Sequence, residues 1–455
     1  MSFRDYGLKG VVISMFIISI TTYTKLHSDN NLYLLLSFIC AVSVLINFRT
    51  KSDFTDNTIC FFFFMGFWFH PTYMILTGDI DAYGVNNYFN SDTLIISIFV
   101  FLSIITASLV FNYYNSNSVR NRINDEPLYN VFQHKQKLCF AYFIIIIMFI
   151  CAINYKLSIY QRGIESAFKY NSLLINIFAL LIGYGFLFFT AKLVSLLTIN
   201  KQYLVFAIIL LIFEQFLTNL SLLSRLMPVT VSALYYRHYI IYQDIQFSKK
   251  WHFMNVALII FIGTLSPYIS NTLRSNVYEP NKPISIQSKS FSTAEFKSLN
   301  LIHRFIGIEG VYYITQYQHF NNENNLFERM TKETRVPGQL SIYDRIILNK
   351  QANTVGVNAV TIPGFVGYLS SKYNHLWIYF ILLLALVLIK FIEIIVTQIT
   401  YGDKLCGAVI AYFLTYRLVH SGVYVADNYK LLIGLSVIIF AYTLINFILR
   451  YLKIG

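Results

Sequence analysis

The chain has 455 residues, of which 56% are hydrophobic and only 13% are charged. A soluble domain normally carries about 25% charged residues, because its surface has to remain in water. With 8 Pro and 20 Gly, the chain also lacks the composition of a disordered or fibrous protein. The composition therefore predicts a polytopic membrane protein built from helices.

Apolar runs long enough to cross a bilayer recur along the chain. A spanning helix needs about 20 mainly apolar residues, because its backbone must satisfy its own hydrogen bonds in lipid. The runs lie near residues 10–25, 32–48, 58–77, 93–113, 138–156, 171–196, 202–220, 225–243, 253–272, 373–399, 405–421 and 430–449. We therefore predict an all-α membrane protein with about 12 transmembrane helices.

The short loops predict the orientation of these spans. Arg49, Arg120 and Lys250 belong to loops of one parity, whereas residues 78–92, of the other parity, contain no Lys or Arg. Because basic residues collect in cytoplasmic loops, both termini are predicted to be cytoplasmic, as in a bacterial inner-membrane protein. A loop of the second parity that begins near Lys156 is also basic and departs from this trend.

The net charge of +13 arises from 35 Lys and Arg against 22 Asp and Glu. The positive-inside rule accounts for much of this excess without nucleic acid as a partner. The five cysteines lie within or beside apolar runs, so we interpret them as packing residues rather than disulfide or metal ligands. No P-loop, dinucleotide-binding, HExxH, GxSxG or CxxC motif is present, which favours chemistry without a metal or a cofactor.

One long hydrophilic segment, residues 273–372, interrupts the spans. The predicted organisation is therefore spans 1–9 in residues 1–272, a periplasmic loop in 273–372, and spans 10–12 in 373–455. The segment carries eleven basic and seven acidic residues, and long loops are translocated regardless of charge. A basic module on the outer face is therefore expected.

Helical patterns can be predicted within this segment. Ser292 and Glu295 have the spacing of a capping box, which predicts a helix that continues to about Tyr317. Gly307 and Gly310 would share one face of it and allow another backbone to approach closely. After a turn at residues 321–325, short surface helices are expected over 330–347, and the Gly and Pro residues of 356–367 favour a re-entrant or hinge segment.

Several ionisable residues lie in or at the ends of the predicted spans, where they are costly and commonly functional. Arg417 and His420 lie in the eleventh span, Arg225 begins the eighth, and Glu214 lies within the seventh. The topology brings the two arginines, His420 and the basic loop towards one membrane face. Guanidinium groups bind phosphate or pyrophosphate bidentately, although either arginine could instead extend to the headgroups or pair with Glu214.

At this point the chain resembles the Wzy-type O-antigen polymerases, which join oligosaccharide repeat units at bacterial inner membranes. The resemblance covers the architecture, with about a dozen spans and one dominant periplasmic loop. Locally it rests on the motifs Ser224-Arg225-Leu-Met, His303-Arg304-Phe-Ile-Gly307-Ile-Glu309-Gly310 and Pro363-Gly364-Phe-Val-Gly367. O-antigen ligases share the architecture, but their loop histidine pattern is not matched around His319 or His375.

The resemblance implies a metal-independent glycosyltransferase without a cofactor. The donor would be a glycan on undecaprenyl pyrophosphate, and the acceptor an incoming lipid-linked repeat unit. A chain-length regulator would be an additional partner. We expect His303 or Glu309 to act as the base. The expected pyrophosphate-binding residues are Arg225, Arg304, Arg417, His420 and Arg274.

A flippase or another secondary transporter of lipid-linked oligosaccharides is the alternative from a different class. Such a protein would show inverted repeats, broken helices and charges near the middle of the membrane. Here the ionisable residues singled out gather towards one face, and a 100-residue segment dominates the loops. The sequence therefore favours the polymerase, with the ligase as a further alternative.

Overall fold

The computed structural model describes most of the apolar runs and part of the long loop. The described residues are 3–26, 30–48, 53–78, 88–110, 119–161 without 121, 172–199, 204–241 without 225 and 226, 253–262, 307–333 without 322–324, 363–420 and 428–452, with isolated positions between 265 and 346. Within these ranges all regular structure is helical and no strand occurs.

Seventeen helices of at least seven residues can be delimited in the described part of the chain. They are α1 (Phe3–Tyr23), α2 (Asn30–Asn47), α3 (Phe54–Phe63), α4 (His70–Thr77), α5 (Ser91–Val110), α6 (Pro127–Leu157), α7 (Ser172–Leu180), α8 (Phe186–Ile199), α9 (Leu204–Ser221), α10 (Met227–Ile241), α11 (Phe253–Ile262), α12 (Ile308–Asn321), α13 (Leu326–Lys332), α14 (Gly364–Ser370), α15 (His375–Ile399), α16 (Lys404–Leu414) and α17 (Asn428–Tyr451). Three π-helical turns connect or extend these helices. Phe64–Phe69 joins α3 to α4, Leu181–Gly185 joins α7 to α8, and Thr415–His420 extends α16.

Six of the described helical stretches are long and apolar enough to cross a membrane. They are Phe54–Thr77, Ser91–Val110, Leu138–Leu157, Leu173–Thr198, His375–Ile399 and Tyr429–Tyr451. Four shorter apolar helices, Gly7–Tyr23, Asn31–Asn47, Phe206–Ser221 and Phe253–Ile262, accompany them.

The distribution of side chains also indicates a lipid environment. Phe149, Leu384 and Phe440 are each more than half exposed on long apolar helices, whereas Lys192 and Lys390 are buried. Soluble proteins rarely bury lysine and do not leave such long apolar faces in water. The chain is therefore a helical, membrane-embedded protein.

Every apolar run predicted from the sequence overlaps one of these helices. The joint between the seventh and eighth runs is short, because α9 ends at Ser221 and α10 begins at Met227, with Pro228 in its first turn. Leu223 in this joint has a φ of 50°, which turns the chain sharply. All five cysteines were predicted to be packing residues, and Cys40, Cys60, Cys151 and Cys406 are buried, whereas Cys139 is only partly buried.

The chain forms two compact units, each built from separate stretches of sequence. Unit 1 contains residues 1–118, 300–393 and 411–430, and unit 2 contains residues 119–299, 394–410 and 431–455. Contacts between residues distant in sequence therefore hold each unit together.

In unit 1, a buried ion pair joins α3 to α15. Lys390 Nζ lies 2.8 Å from Asp56 Oδ2, and both side chains are almost fully buried. One turn further along α15, Glu393 accepts hydrogen bonds from the backbone N–H of Thr55, at 3.1 Å, and from its hydroxyl group. The Glu393 carboxylate thereby satisfies a free N–H at the start of α3, where the helix dipole favours negative charge.

In unit 2, a buried lysine joins three separate parts of the chain. Lys192 Nζ lies 2.6 Å from Glu126 Oε2 and 3.2 Å from Asp403 Oδ2, and we call these three residues the Lys192 cluster. The hydroxyl group of Tyr442 donates to Glu126 at 2.7 Å, and that of Ser195 donates to Asp403 at 2.8 Å. Asp403 also accepts the backbone N–H groups of the first turn of α16. The cluster therefore links α8 to the residues that precede α6 and α16.

Candidate active site

Glu309 lies in the first turn of α12 in unit 1. Its side chain is buried, and its Oε2 atom lies 3.6 Å from Nδ1 of His70, the first residue of α4. Because α12 has 14 residues, the positive end of its dipole stabilises a carboxylate at this position. The fold therefore places a carboxylate beside an imidazole, and either group can act in acid–base chemistry.

Close backbone contacts hold Glu309 in this position. A Cβ atom added at Gly307 would lie closer than 3.0 Å to three backbone atoms of Gly66. A Cβ atom added at Gly310 would lie within 3.0 Å of three backbone atoms of Pro363. The prediction that these two glycines allow close approach of another backbone is therefore confirmed. The helix itself begins at Ile308 and continues to Asn321, four residues beyond the predicted end near Tyr317. The prediction that one helix runs through Gly307 is therefore wrong, because Gly307 lies in a bend directly before the first turn, and residues 292–306 of the predicted helix lie outside the described residues.

The Pro363–Gly367 motif packs against α12, the helix that carries Glu309. Gly364 begins α14 with a φ of 74°, which favours glycine, and α14 has only seven residues, nearly all of them buried. Gly367 lies against Pro363 and Gly310, so that α14 packs directly on α12. The prediction of a hinge or re-entrant segment is compatible with this short, covered helix, because irregular backbone at membrane depth must be surrounded by protein or line a wet cavity.

The other side of α14 contacts the π-helical turn Thr415–His420, which carries Arg417. The Arg417 guanidinium lies 6.0 Å from the ring centre of Tyr416, and this ring stacks on Tyr412 with an interplanar angle of 7°. Phe62 of α3 contacts both tyrosine rings. The Arg417 guanidinium therefore lies beside stacked aromatic rings, which interact favourably with guanidinium groups.

The structure brings two of the seven predicted site residues to one short helix. Glu309 and Arg417 lie on segments that both pack against α14, and we call these two residues, His70 and α14 the Glu309 site. The backbone of His420 belongs to the same π-helical turn as Arg417, and its side chain lies outside the description. His303, Arg304, Arg225 and Arg274 lie outside the described residues, so the gathering of arginines stays a prediction.

The Glu309 site offers a base and a cation to an anionic substrate. A buried carboxylate next to an imidazole can take a proton from a hydroxyl group, and a guanidinium can neutralise charge on a departing phosphate. Among the residues that the structure describes, no group of three His, Cys, Asp or Glu side chains is arranged to hold a metal ion.

The sequence analysis missed His70 and the buried ion pairs. His70 lies in an apolar run directly before Pro71, and Lys192, Lys390 and Glu393 also lie in apolar runs. An ionisable residue within an apolar run was therefore the signal that would have identified all of them. These residues show that charges in the apolar helices are more widespread than the arginines and Glu214 suggested.

Comparisons with known proteins provide no family for this chain. No family model, no curated protein and no solved structure matches it.

Proposed function

We propose that this protein is a membrane-embedded glycosyltransferase that polymerises lipid-linked oligosaccharide repeat units. In this proposal about 12 helices span the bacterial inner membrane, both termini are cytoplasmic, and residues 273–372 lie in the periplasm. The proposal retains the resemblance to Wzy-type polymerases.

The observation that carries the proposal is the Glu309 site. Two of the motifs that resemble the polymerase family, Gly307–Gly310 and Pro363–Gly367, are distant in sequence and pack against each other. The same short helix contacts the turn of Arg417, and His70 lies beside Glu309. A base and a cation on segments that pack against one short buried helix suit transfer from a pyrophosphate donor.

The proposed step uses these residues as follows. The acceptor hydroxyl oxygen forms a bond to the anomeric carbon of the donor sugar, and Glu309 takes the hydroxyl proton. The bond between that carbon and the pyrophosphate oxygen breaks, and the electron pair leaves with the lipid pyrophosphate. Arg417 neutralises the charge that grows on the leaving group. The same role for Arg225 and Arg304 stays a prediction from the sequence, because both lie outside the described residues.

Contacts within each unit support the alternating topology. Lys25 Nζ donates to Leu76 O at 2.8 Å, and both residues lie at helix ends assigned to the periplasmic side. Arg450 donates to the Tyr401 hydroxyl group at 2.9 Å, and both belong to ends assigned to the cytoplasmic side. The alternation predicted from basic loops is compatible with these pairs.

The test is reconstitution of the purified chain with a lipid-linked repeat unit. We expect a ladder of polymer without added nucleotide sugar or metal. Glu309→Gln should lower the rate by about 10²–10⁴-fold, the usual contribution of a general base. Arg417→Ala should lower it by about 10²–10³-fold through loss of charge stabilisation. Arg225→Ala and Arg304→Ala complete the series.

Two exposed residues of α13 provide matched controls. Glu328→Gln and Arg329→Ala remove the same charges from the surface of unit 1, and they should leave the ladder unchanged. A normal ladder from well-expressed Glu309→Gln and from all three arginine variants would exclude this mechanism.

A transporter of lipid-linked oligosaccharides is the second candidate, because the structure buries ion pairs within apolar helices. Transporters place charged groups among their membrane spans, and two such pairs occur here, Lys390 with Asp56 and Lys192 with Glu126. Deleting the gene separates the possibilities. Single repeat units on the lipid A core indicate a lost polymerase, untransferred lipid-linked polymer a lost ligase, and cytoplasmic accumulation a lost transporter.

A further inference from the structure

Glu214 is a fully buried carboxyl group that the proposed function does not use. It lies in the middle of α9, in unit 2, and none of its surface is exposed. Its Oε2 atom accepts a hydrogen bond of 2.7 Å from Gln215 Nε2, and its Oε1 atom has no hydrogen-bond partner among the described residues. This differs from Glu126 and Asp403, which have Lys192 between them.

No described cation forms an ion pair with Glu214. Among the described helices, α6, α8, α10 and α11 pack against α9, and α11 contains no ionisable residue. Cys151 of α6 is the ionisable group that interacts electrostatically with Glu214. Lys192 of α8 is bound in the Lys192 cluster, and His238 of α10 contacts Thr198. The remaining ionisable groups of α10 are Tyr235, Tyr236, Arg237 and Tyr239.

An ionised carboxylate in this environment would be very unfavourable. Removing a charge from water is costly even after the protein relaxes, and a hydrogen bond from one amide N–H does not offset that cost. A positive charge must therefore accompany the carboxylate, and the unpartnered Oε1 atom is the place for it. The smallest such charge is a proton.

Polar side chains lie between Glu214 and the end of α9, and their hydroxyl groups donate to backbone carbonyls: Thr218 to Glu214 O at 2.9 Å and Ser221 to Cys151 O at 3.0 Å. Thr218 and Ser221 follow at intervals of four and three residues, which places them on the same helix face as Glu214, and both are buried. Asn154 of α6 donates to Ser221 Oγ at 2.8 Å and to Tyr160 O at 2.9 Å, beyond the end of α6. Hydroxyl and amide groups are thus spaced along one face of α9 between the carboxyl group and the end of the helix, and the last of them, Ser221, is hydrogen-bonded to Asn154.

We infer that Glu214 is an exchangeable proton-binding site inside the membrane domain, reached through Thr218, Ser221 and Asn154. The inference is independent of the glycosyltransferase proposal, because it concerns another unit of the chain. The ligand of this site is the proton. It exchanges between the Glu214 carboxyl group and water at the helix ends that the topology assigns to the periplasmic side.

Dicyclohexylcarbodiimide tests this site, because it is membrane-soluble and reacts with protonated carboxyl groups in apolar surroundings. We expect the full-length protein in proteoliposomes to be modified at Glu214, as determined by mass spectrometry of the peptide. Modification should be lost in Glu214→Gln and retained in Glu328→Gln, which changes an exposed carboxylate. A water-soluble carbodiimide should not modify Glu214.

Two outcomes would overturn the inference. Absence of modification at Glu214 in the folded wild-type protein would mean that no accessible protonated carboxyl group exists there. Suppression of the modification when K⁺ is replaced by Na⁺ would mean that the carboxylate binds sodium rather than a proton. The assay uses the wild-type protein, so it does not depend on the folding of the glutamine variant.

Discussion

Replacing Gly310 with alanine should destabilise the folded protein by about 3 kcal/mol or more, at the upper end of the usual cost of overpacking. The added methyl group would meet the backbone of Pro363, and backbone cannot move aside as a flexible side chain can. Because α12, which carries Glu309, packs directly on α14, the change should separate the two helices. Under the proposed function, polymer synthesis should be lost together with stability.

The buried cysteines provide the measurement for this variant. Four of the five cysteines are buried and free, so a thiol-reactive fluorophore reports unfolding as the purified protein is heated. Gly183→Ala is the matched control, because a Cβ atom there would have nothing within 4 Å. Equal unfolding temperatures for Gly310→Ala and Gly183→Ala would contradict the packing described here.

The second large effect is expected for Lys192→Met. The substitution leaves Glu126 and Asp403 buried without the positive charge between them. Removal of one partner from a buried ion pair typically costs about 3–5 kcal/mol, because the remaining charge is uncompensated. We therefore expect a strongly lowered unfolding temperature in the same thiol assay.

Neutralising the two acids should restore much of this loss. In the triple variant Lys192→Met, Glu126→Gln, Asp403→Asn, no uncompensated charge remains, although the hydrogen bonds to Tyr442 and Ser195 are weaker. Lys156→Met, which removes an exposed lysine of the same unit, should have little effect. A Lys192→Met protein as stable as Lys156→Met would show that the cluster contributes nothing to folding.

The helices could be predicted because their signal is local. A run of about 20 apolar residues needs no information from elsewhere in the chain, and each predicted run overlaps a helix. The close packing at Gly307 and Gly310 could also be predicted, because glycines leave the backbone uncovered, although Gly307 precedes α12 rather than lying on it.

The partners of the candidate residues could not be predicted, because they depend on contacts between distant segments. Nothing near Glu309 in sequence indicates His70, which is 239 positions earlier (309 − 70). Lys192 likewise meets acids that precede two other helices. The sequence supplied the residue types of the candidate site, and tertiary packing decides which of them meet.

The π-helical turn Phe64–Phe69 has a consequence for the direction of His70. Such a turn accommodates one residue more than the same stretch of α-helix, and each residue of an α-helix advances the azimuth by about 100°. The extra residue therefore shifts the helical phase of α4 relative to α3. Side chains of α4 then lie on a different face from the one that an uninterrupted α-helix would give them. Loss of a single residue between Phe64 and Phe69 would swing the imidazole around the axis while leaving every helix intact.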